Sequence, residues 1–315
     1  MFARTSPAVP GGQFRGGQQV VGNPSAETGR RGRAARLVAW AGLPVVALSG
    51  CSTEEALRFG WPEAITPQGE QMLTLWTWSV VASLVVGCVV WGLMFWVMVA
   101  YRKRGEALPA QTRFNLPIEI VYTVVPFLII AVLFYYTVVT QNYVGRETER
   151  PDVVVSVTAF KWNWKFGYSD VTGKPLQTTD GKAIETIGST EVLPVLVVPT
   201  GKRIRFTEIS NDVIHSFWVP ATLFKRDVNP GLVNTFEITI QKEGSYVGRC
   251  AEFCGTYHAN MNFELRAVSF ADYQRFIERK TAGASTPDAL AAIGQPPYAT
   301  TTSPFRTDRT QQRSR

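Results

Sequence analysis

Both histidines of this 315-residue chain fall in one array with two of its four cysteines. His215 precedes a segment that reads C-A-E-F-C-G-T-Y-H-A-N-M, placing Cys250, Cys254, His258 and Met261 in a Cys-x3-Cys-x3-His-x2-Met spacing. Two thiolates, two imidazoles and a thioether form a soft donor set, which suits copper far better than calcium, magnesium or manganese. Mononuclear blue copper needs one cysteine, two histidines and a weak axial methionine, so this array holds one thiolate too many for it. Structural zinc accepts two cysteines and two histidines, but its usual cysteine spacing is shorter and it needs no methionine. Two thiolates bridging two coppers, with one imidazole on each metal, would use every ligand. A Cys250–Cys254 disulfide in an oxidising exterior is the remaining alternative.

These side chains need a scaffold. Cys250, Glu252, Cys254, His258 and Met261 lie within twelve residues that include Gly255, so one tight loop can gather them. His215 must arrive from a different loop, just before S-F-W-V-P. From about residue 150 the pattern turns to period two. The stretches 153–159, 192–198, 203–209, 232–240 and 262–270 are rich in Val, Ile, Phe and Thr and are bounded by Gly, Pro, Asn or Asp. About seven short strands over this region predict a sandwich or barrel, with the ligands at strand ends and in one loop.

Residues 72–101 and 120–139 carry no charge. Each is long enough to cross a hydrocarbon core of ~30 Å as a helix. They predict a membrane hairpin with helices over 72–101 and 117–140, joined by a loop over 102–116. Arg102, Lys103, Arg104 and Arg113 lie in that loop, which the positive-inside rule makes cytoplasmic. The segment before the first helix and everything after the second then face outward.

Residues 1–50 read as a targeting segment: an Arg-, Gly- and Pro-rich start, an apolar run over 37–47, then Leu48-Ser49-Gly50-Cys51. The last four resemble a bacterial lipoprotein box, which implies cleavage before Cys51 and lipidation of its thiol; a free cysteine after an ordinary signal peptide is the plainer reading. An outer segment over 51–71 would follow. Arg30-Arg31 lacks the context of a twin-arginine signal. Cys88, inside the first span, reads as a small packing residue. Residues 281–315, poor in large apolar side chains, read as a disordered tail.

The net charge of +7 belongs to the two ends. Residues 1–50 hold six basic groups and one acidic, and residues 303–315 hold four and one, which leaves 22 basic against 23 acidic side chains in 51–302. No basic stripe interleaved with aromatics supports nucleic-acid binding. The chain has no Cys-x-x-Cys-His, hence no covalently attached haem c, and no histidine in either span to ligate haem there. Oxygen chemistry therefore belongs to another polypeptide.

Over roughly residues 72–275 the chain resembles subunit II of haem–copper cytochrome c oxidases. The resemblance is carried by G-S-Y-V-G-R-C-A-E-F-C-G-T-Y-H-A-N-M, by N-D-V-I-H-S-F-W-V-P, by A-F-K-W-N-W-K-F over 159–166, and by E-I-V-Y-T-V-V-P from Glu119. It implies a two-helix transmembrane hairpin followed by an all-β cupredoxin-like sandwich or barrel over 148–280. It also implies a dinuclear copper centre (CuA) on His215, Cys250, Cys254, His258 and Met261. Glu252 would give its backbone carbonyl to copper and its carboxylate to a magnesium shared with the catalytic subunit. Trp162 would receive electrons from a c-type cytochrome, although Trp162 and Trp164 also read simply as inward-facing strand residues. Glu119 would lie at the mouth of a proton-uptake path; a carboxylate favoured by a helix start is the bland reading.

The implied role is an electron-input subunit of a bacterial plasma-membrane oxidase, working with subunits I and III. Arg249 stands where the family often has glutamine, and 169–191 looks longer than usual. Residues 146–280 balance 17 basic against 16 acidic groups, so no acidic excess steers a free basic cytochrome c. A c-type haem held within a cytochrome bc–oxidase supercomplex is the expected alternative donor. A copper-delivery protein and a nitrous oxide reductase-like CuA protein are the competing classes. The first leaves the tryptophan stretch and Glu119 unexplained. The second is opposed by the two membrane spans, the lipid box, and the lack of room or histidines for a second copper cluster.

Overall fold

A computed structural model describes residues 53–106, 111–189 and 191–303. The targeting segment, Cys51 and residues 304–315 lie outside the described residues. After a short helix α1 (Thr53–Leu57), two long helices follow, α2 (Pro67–Ala100) and α3 (Leu116–Val144). Both are apolar and long enough to cross a membrane, and most of their large apolar side chains are exposed. Such a surface is stable against lipid rather than water.

Local signals set the helix starts. Thr66 caps α2 by accepting the Gly69 N–H at 2.9 Å, with Pro67 at the first turn. Asn115 caps α3, and Glu119 returns the favour by accepting the Asn115 N–H at 3.0 Å. Side chain and backbone thus cap the helix start reciprocally, with the acid one position beyond that of a capping box. Both helices run several residues beyond the uncharged stretches, because their caps lie outside the apolar run.

Ten strands follow among the described residues, forming two five-stranded sheets in the orders β3-β2-β1-β5-β8 and β4-β10-β9-β6-β7. The strands are β1 (Val153–Phe160), β2 (Asn163–Ser169), β3 (Glu185–Ile187), β4 (Val195–Pro199), β5 (Arg203–Ser210), β6 (His215–Val219), β7 (Phe224–Val228), β8 (Asn234–Thr239), β9 (Gly244–Cys250) and β10 (Asn262–Val268). β1 pairs in parallel with β5 and β4 with β10, and the other pairings are antiparallel. This is the cupredoxin-like sandwich. Its core interlocks Trp164, Phe166, Phe206, Phe217, Phe236 and Phe263, with Phe217 and Phe263 stacked at 4.8 Å. The expectation of about seven strands falls about three short because β3, β6 and β7 have only three, five and five residues, and short strands leave little alternation to read.

The helical hairpin is tied to the sandwich where it emerges. Ile65 donates to the Ala221 carbonyl at 3.1 Å and accepts from Gln241 N–H at 2.8 Å. Gly69 passes so close that a β-carbon there would sit 2.7 Å from the Thr222 carbonyl oxygen. At the other connection, the Glu237 carboxylate accepts from Thr148 N–H at 3.0 Å and pairs with both Arg203 and Arg205 at 2.8 Å.

The reading of 281–315 as a disordered tail is corrected for its described part. Helix α4 (Phe270–Thr281) continues through a short turn into α5 (Thr286–Ala292), which buries Ala289 and Leu290 completely. Beyond it the chain straps across β10. There the buried Arg266 guanidinium donates to the Pro296 carbonyl at 2.5 Å and the Tyr298 carbonyl at 3.1 Å, while Glu264 accepts from Thr300 and Thr301 N–H at 2.6 and 2.8 Å. Backbone groups satisfied by two buried ionic side chains hold this segment without a long apolar stretch.

Candidate metal centre

β6 and β9 run antiparallel, with Phe217 opposite Cys250. That pairing sets His215, the first residue of β6, beside Cys250, the last residue of β9. The loop then turns back. Ala251 N–H donates to the Ser216 carbonyl at 3.0 Å, and Cys250 N–H donates to the Met261 carbonyl at 3.0 Å. Gly255 takes a φ of +114° and lies 3.4 Å, measured from an ideal β-carbon, from the Trp162 ring. That dihedral favours glycine, while the Trp162 ring stands at ordinary contact distance. A 3-10 turn over His258–Asn260 then delivers His258 and Met261.

The donors meet as two linked sets. Cys250 Sγ lies 3.8 Å from His215 Nδ1 and 3.2 Å from the Glu252 carbonyl oxygen. Cys254 Sγ lies 3.6 Å from His258 Nδ1 and 3.8 Å from Met261 Sδ. The two sulfurs are 3.9 Å apart and both cysteines are free, so the disulfide alternative is not what the structure holds. Donor atoms of His215, Cys250 and Cys254 all lie within 4.8 Å of one another, and His258 is not a fourth member of that mutual set. Ligands sharing a metal at ~2.0–2.3 Å stand roughly 3–4 Å apart, as these do. His215, Cys250, Cys254 and Met261 are buried, His258 is half-buried, and the Glu252 side chain is exposed. The donor set and its spacing fit copper.

Asp212, which the sequence reading passed over, fixes the first imidazole. Its Oδ1 lies 2.8 Å from His215 Nε2. A carboxylate there accepts the Nε2 proton and leaves the Nδ1 lone pair facing Cys250, the arrangement that orients metal-binding histidines. Asp212 also accepts from Lys161 N–H at 2.7 Å and Val213 N–H at 2.7 Å. The signal was the three-residue spacing in N-D-V-I-H.

Proton affinities follow from this packing. Burial pushes the Cys250 thiol up, but its contact with His215 and backbone hydrogen bonds at Glu252 and Ser216 bring it down to about 7. Burial and the neighbouring Cys250 charge push Cys254 up to about 12. One thiolate therefore forms readily and the second needs a cation. Burial opposes the His215 imidazolium, yet Cys250 and Asp212 together hold its pKa above the usual value.

The two tryptophans separate. Trp164 is wholly buried on β2 and donates its indole N–H to the Met261 carbonyl at 3.2 Å. Trp162 is half-buried in the turn before β2, donates to the Cys254 carbonyl at 3.1 Å, and meets Tyr257 edge-on with centroids 4.9 Å apart. The inward-facing reading holds for Trp164. Glu119 lies far along the chain, in the first turn of α3, where it accepts the N-cap Asn115 N–H.

Fold and site thus define a membrane-anchored cupredoxin with a thiolate-rich metal site. Profiles for the cytochrome c oxidase subunit II transmembrane domain and periplasmic domain match residues 54–138 and 153–268. The probable cytochrome c oxidase subunit 2 of Nocardia farcinica is 45% identical over 93% of this chain and 96% of its own length. Cytochrome c oxidase subunit 2 of Mycobacterium tuberculosis H37Rv is 44% identical over 87% of this chain and 89% of its own. The crystal structure of the periplasmic domain of subunit II of the Bradyrhizobium japonicum cytochrome oxidase is 29% identical, covering 44% of this chain and all of that one, with a TM-score of 0.36. The chain belongs to the cytochrome c oxidase subunit II family. It is a membrane-bound component of a terminal oxidase.

Proposed function

We propose that this chain is the electron-input subunit of its oxidase. It accepts electrons one at a time from a c-type cytochrome at a dinuclear copper centre and passes them to haem in subunit I, where oxygen is reduced to water. The observation that carries the dinuclear reading is the division of the donors: His215 and the Glu252 carbonyl gather at Cys250, while His258 and Met261 gather at Cys254. A single tetrahedral metal would draw both imidazoles into one mutual set. When bound, paired copper supplies a one-electron relay.

The chain's own residues prepare the site for that role. His215 and Cys250, buried on two paired strands, have little freedom to move between charge states. Hydrogen bonds from Cys250 N–H to the Met261 carbonyl and from Trp162 to the Cys254 carbonyl hold the loop that carries the other ligands. Asp212 sets the His215 tautomer. Trp162 joins the copper loop through one hydrogen bond and reaches the surface, which suits it to receive electrons. The exposed Glu252 carboxylate is free to hold a magnesium shared with subunit I. Glu119, at the start of α3, would open a proton-uptake path in that partner.

With the Arg102–Arg104 loop on the cytoplasmic side of a bacterial plasma membrane, the copper domain faces outward, and Cys51 would carry a lipid on the same face. The near-neutral charge of the domain favours a donor haem held in a cytochrome bc–oxidase supercomplex with subunits I and III. The test is Cys254→Ser in the assembled oxidase. Loss of dinuclear copper and of electron uptake, with both spans still inserted, is the expected result; normal copper content and spectra would reject the reading.

A further inference from the structure

One polar group inside the sandwich is used by nothing described so far. On β5 the inward-facing residues are Ile204, Phe206, Glu208 and Ser210, all buried. Glu208 is fully buried, and among the described residues neither of its carboxylate oxygens has a hydrogen-bond partner. Arg226, on edge strand β7, has a buried Nε that likewise finds no partner among the described residues, and its guanidinium lies over the Phe224 ring at 5.0 Å. Arg226 acts electrostatically on Glu208, yet the two do not meet in a hydrogen bond. Three buried polar atoms left unpaired are costly, and a water with two or more polar partners is the usual remedy in such a place.

Glu208 is also connected to the metal site. The next inward residue, Ser210, accepts the Asp212 N–H at 3.2 Å through its hydroxyl, and Asp212 holds His215. On the other side, Arg226 gives its backbone carbonyl to the Ser216 hydroxyl at 3.2 Å, and Ser216 lies next to His215.

We propose that Glu208 is a proton acceptor inside the copper domain, served by a trapped water shared with Arg226, and that its proton occupancy follows the electron occupancy of the metal centre. The proposal rests on the electron-input reading. When one electron arrives from the cytochrome donor, Glu208 takes up to one proton from bulk water, its carboxylate C–O⁻ becoming C–OH. When the electron leaves for subunit I, that proton returns to water.

The surroundings suit the exchange. Burial holds the Glu208 carboxyl well above the ordinary range, Arg226 opposing and Asp227 reinforcing. Both charged groups come from β7. The residues beside it in register, Val157 of β1 and Asn234 of β8, carry no charge. Added negative charge at the centre shifts the group further toward its protonated form, and by linkage its protonation eases reduction.

The experiment uses the assembled oxidase, wild type against Glu208→Gln, with the midpoint potential of the copper centre followed across pH. In the wild type the potential should fall with rising pH in a window above the ordinary carboxylate range, and the variant should be flat there. Equal pH dependence in both, or none in the wild type, overturns the proposal. Infrared difference spectra between oxidised and reduced wild type, with ¹³C-labelled glutamate, decide the matter should the variant fail to assemble. A labelled carboxylic-acid carbonyl band that changes on reduction supports it, and the absence of such a band overturns it. A centre that cannot be reduced by a c-type cytochrome contradicts the electron-input reading itself, whereas a reducible centre without the labelled band defeats only the role of Glu208.

Discussion

Trp162 donates its indole N–H to the backbone carbonyl of Cys254 at 3.1 Å, so a half-buried surface ring is bonded directly to the loop that carries both thiolates. Trp162→Phe keeps an aromatic ring against Tyr257 and removes this bond. The expected cost to domain stability is small, about 1 kcal/mol. Electron uptake from reduced c-type cytochrome, followed by stopped-flow, should slow markedly while copper content stays whole. Unchanged uptake would show that electrons arrive elsewhere.

Asp212→Asn keeps the size of the side chain but removes the charge that holds the His215 tautomer. Partners of metal-bound histidines typically contribute 10–100-fold to metal affinity, and a loss of about that size is expected in copper retention against a chelator. Far-ultraviolet circular dichroism should be unchanged, because Asp212 lies in a turn outside β5 and β6.

Copper uptake should release protons. Cys250, near 7, is partly ionised at neutral pH, while Cys254, near 12, is not, and both must be thiolates to bind. Apparent affinity therefore rises with pH and falls steeply below neutrality, as Cys250 and His215 are protonated. Titration in weak buffer with a pH indicator checks the release, and affinity independent of pH would contradict it.

Arg266→Ala strands the Glu264 carboxylate, to which Arg266 Nε donates at 2.9 Å, in a fully buried position. Breaking such a pair costs about 3–5 kcal/mol, visible as a lowered thermal midpoint. Acid acts through the same groups. Burial alone would raise Glu264 and Glu237, but their arginines and backbone donors hold both below the ordinary value. Their contribution is present above the unfolded carboxylate pKa of about 4.3 and is lost as pH falls through the depressed folded values. Truncation after residue 280 should lower the midpoint as well, since it removes the strap that covers Arg266.

The parts of the molecule that were legible in the sequence share one property: a local, unbroken pattern. Uncharged runs announced α2 and α3, and the Cys-x3-Cys-x3-His-x2-Met spacing announced the metal loop. Asp212 was harder to see because its meaning depends on where His215 points. Glu208 continues the inward alternation after Ile204 and Phe206, where an acid looks like a strand returning to solvent. The 286–301 segment buries only small or isolated apolar groups, and it is held by Glu264 and Arg266, distant in sequence. Pattern reading does not detect order that comes from long-range ionic contacts.

The most direct test of the account is electron paramagnetic resonance on the copper-loaded full chain, together with copper stoichiometry. Two coppers per chain sharing one unpaired electron, with hyperfine splitting from two equivalent nuclei, is the predicted result. One copper, with splitting from a single nucleus, would contradict the dinuclear electron-input centre.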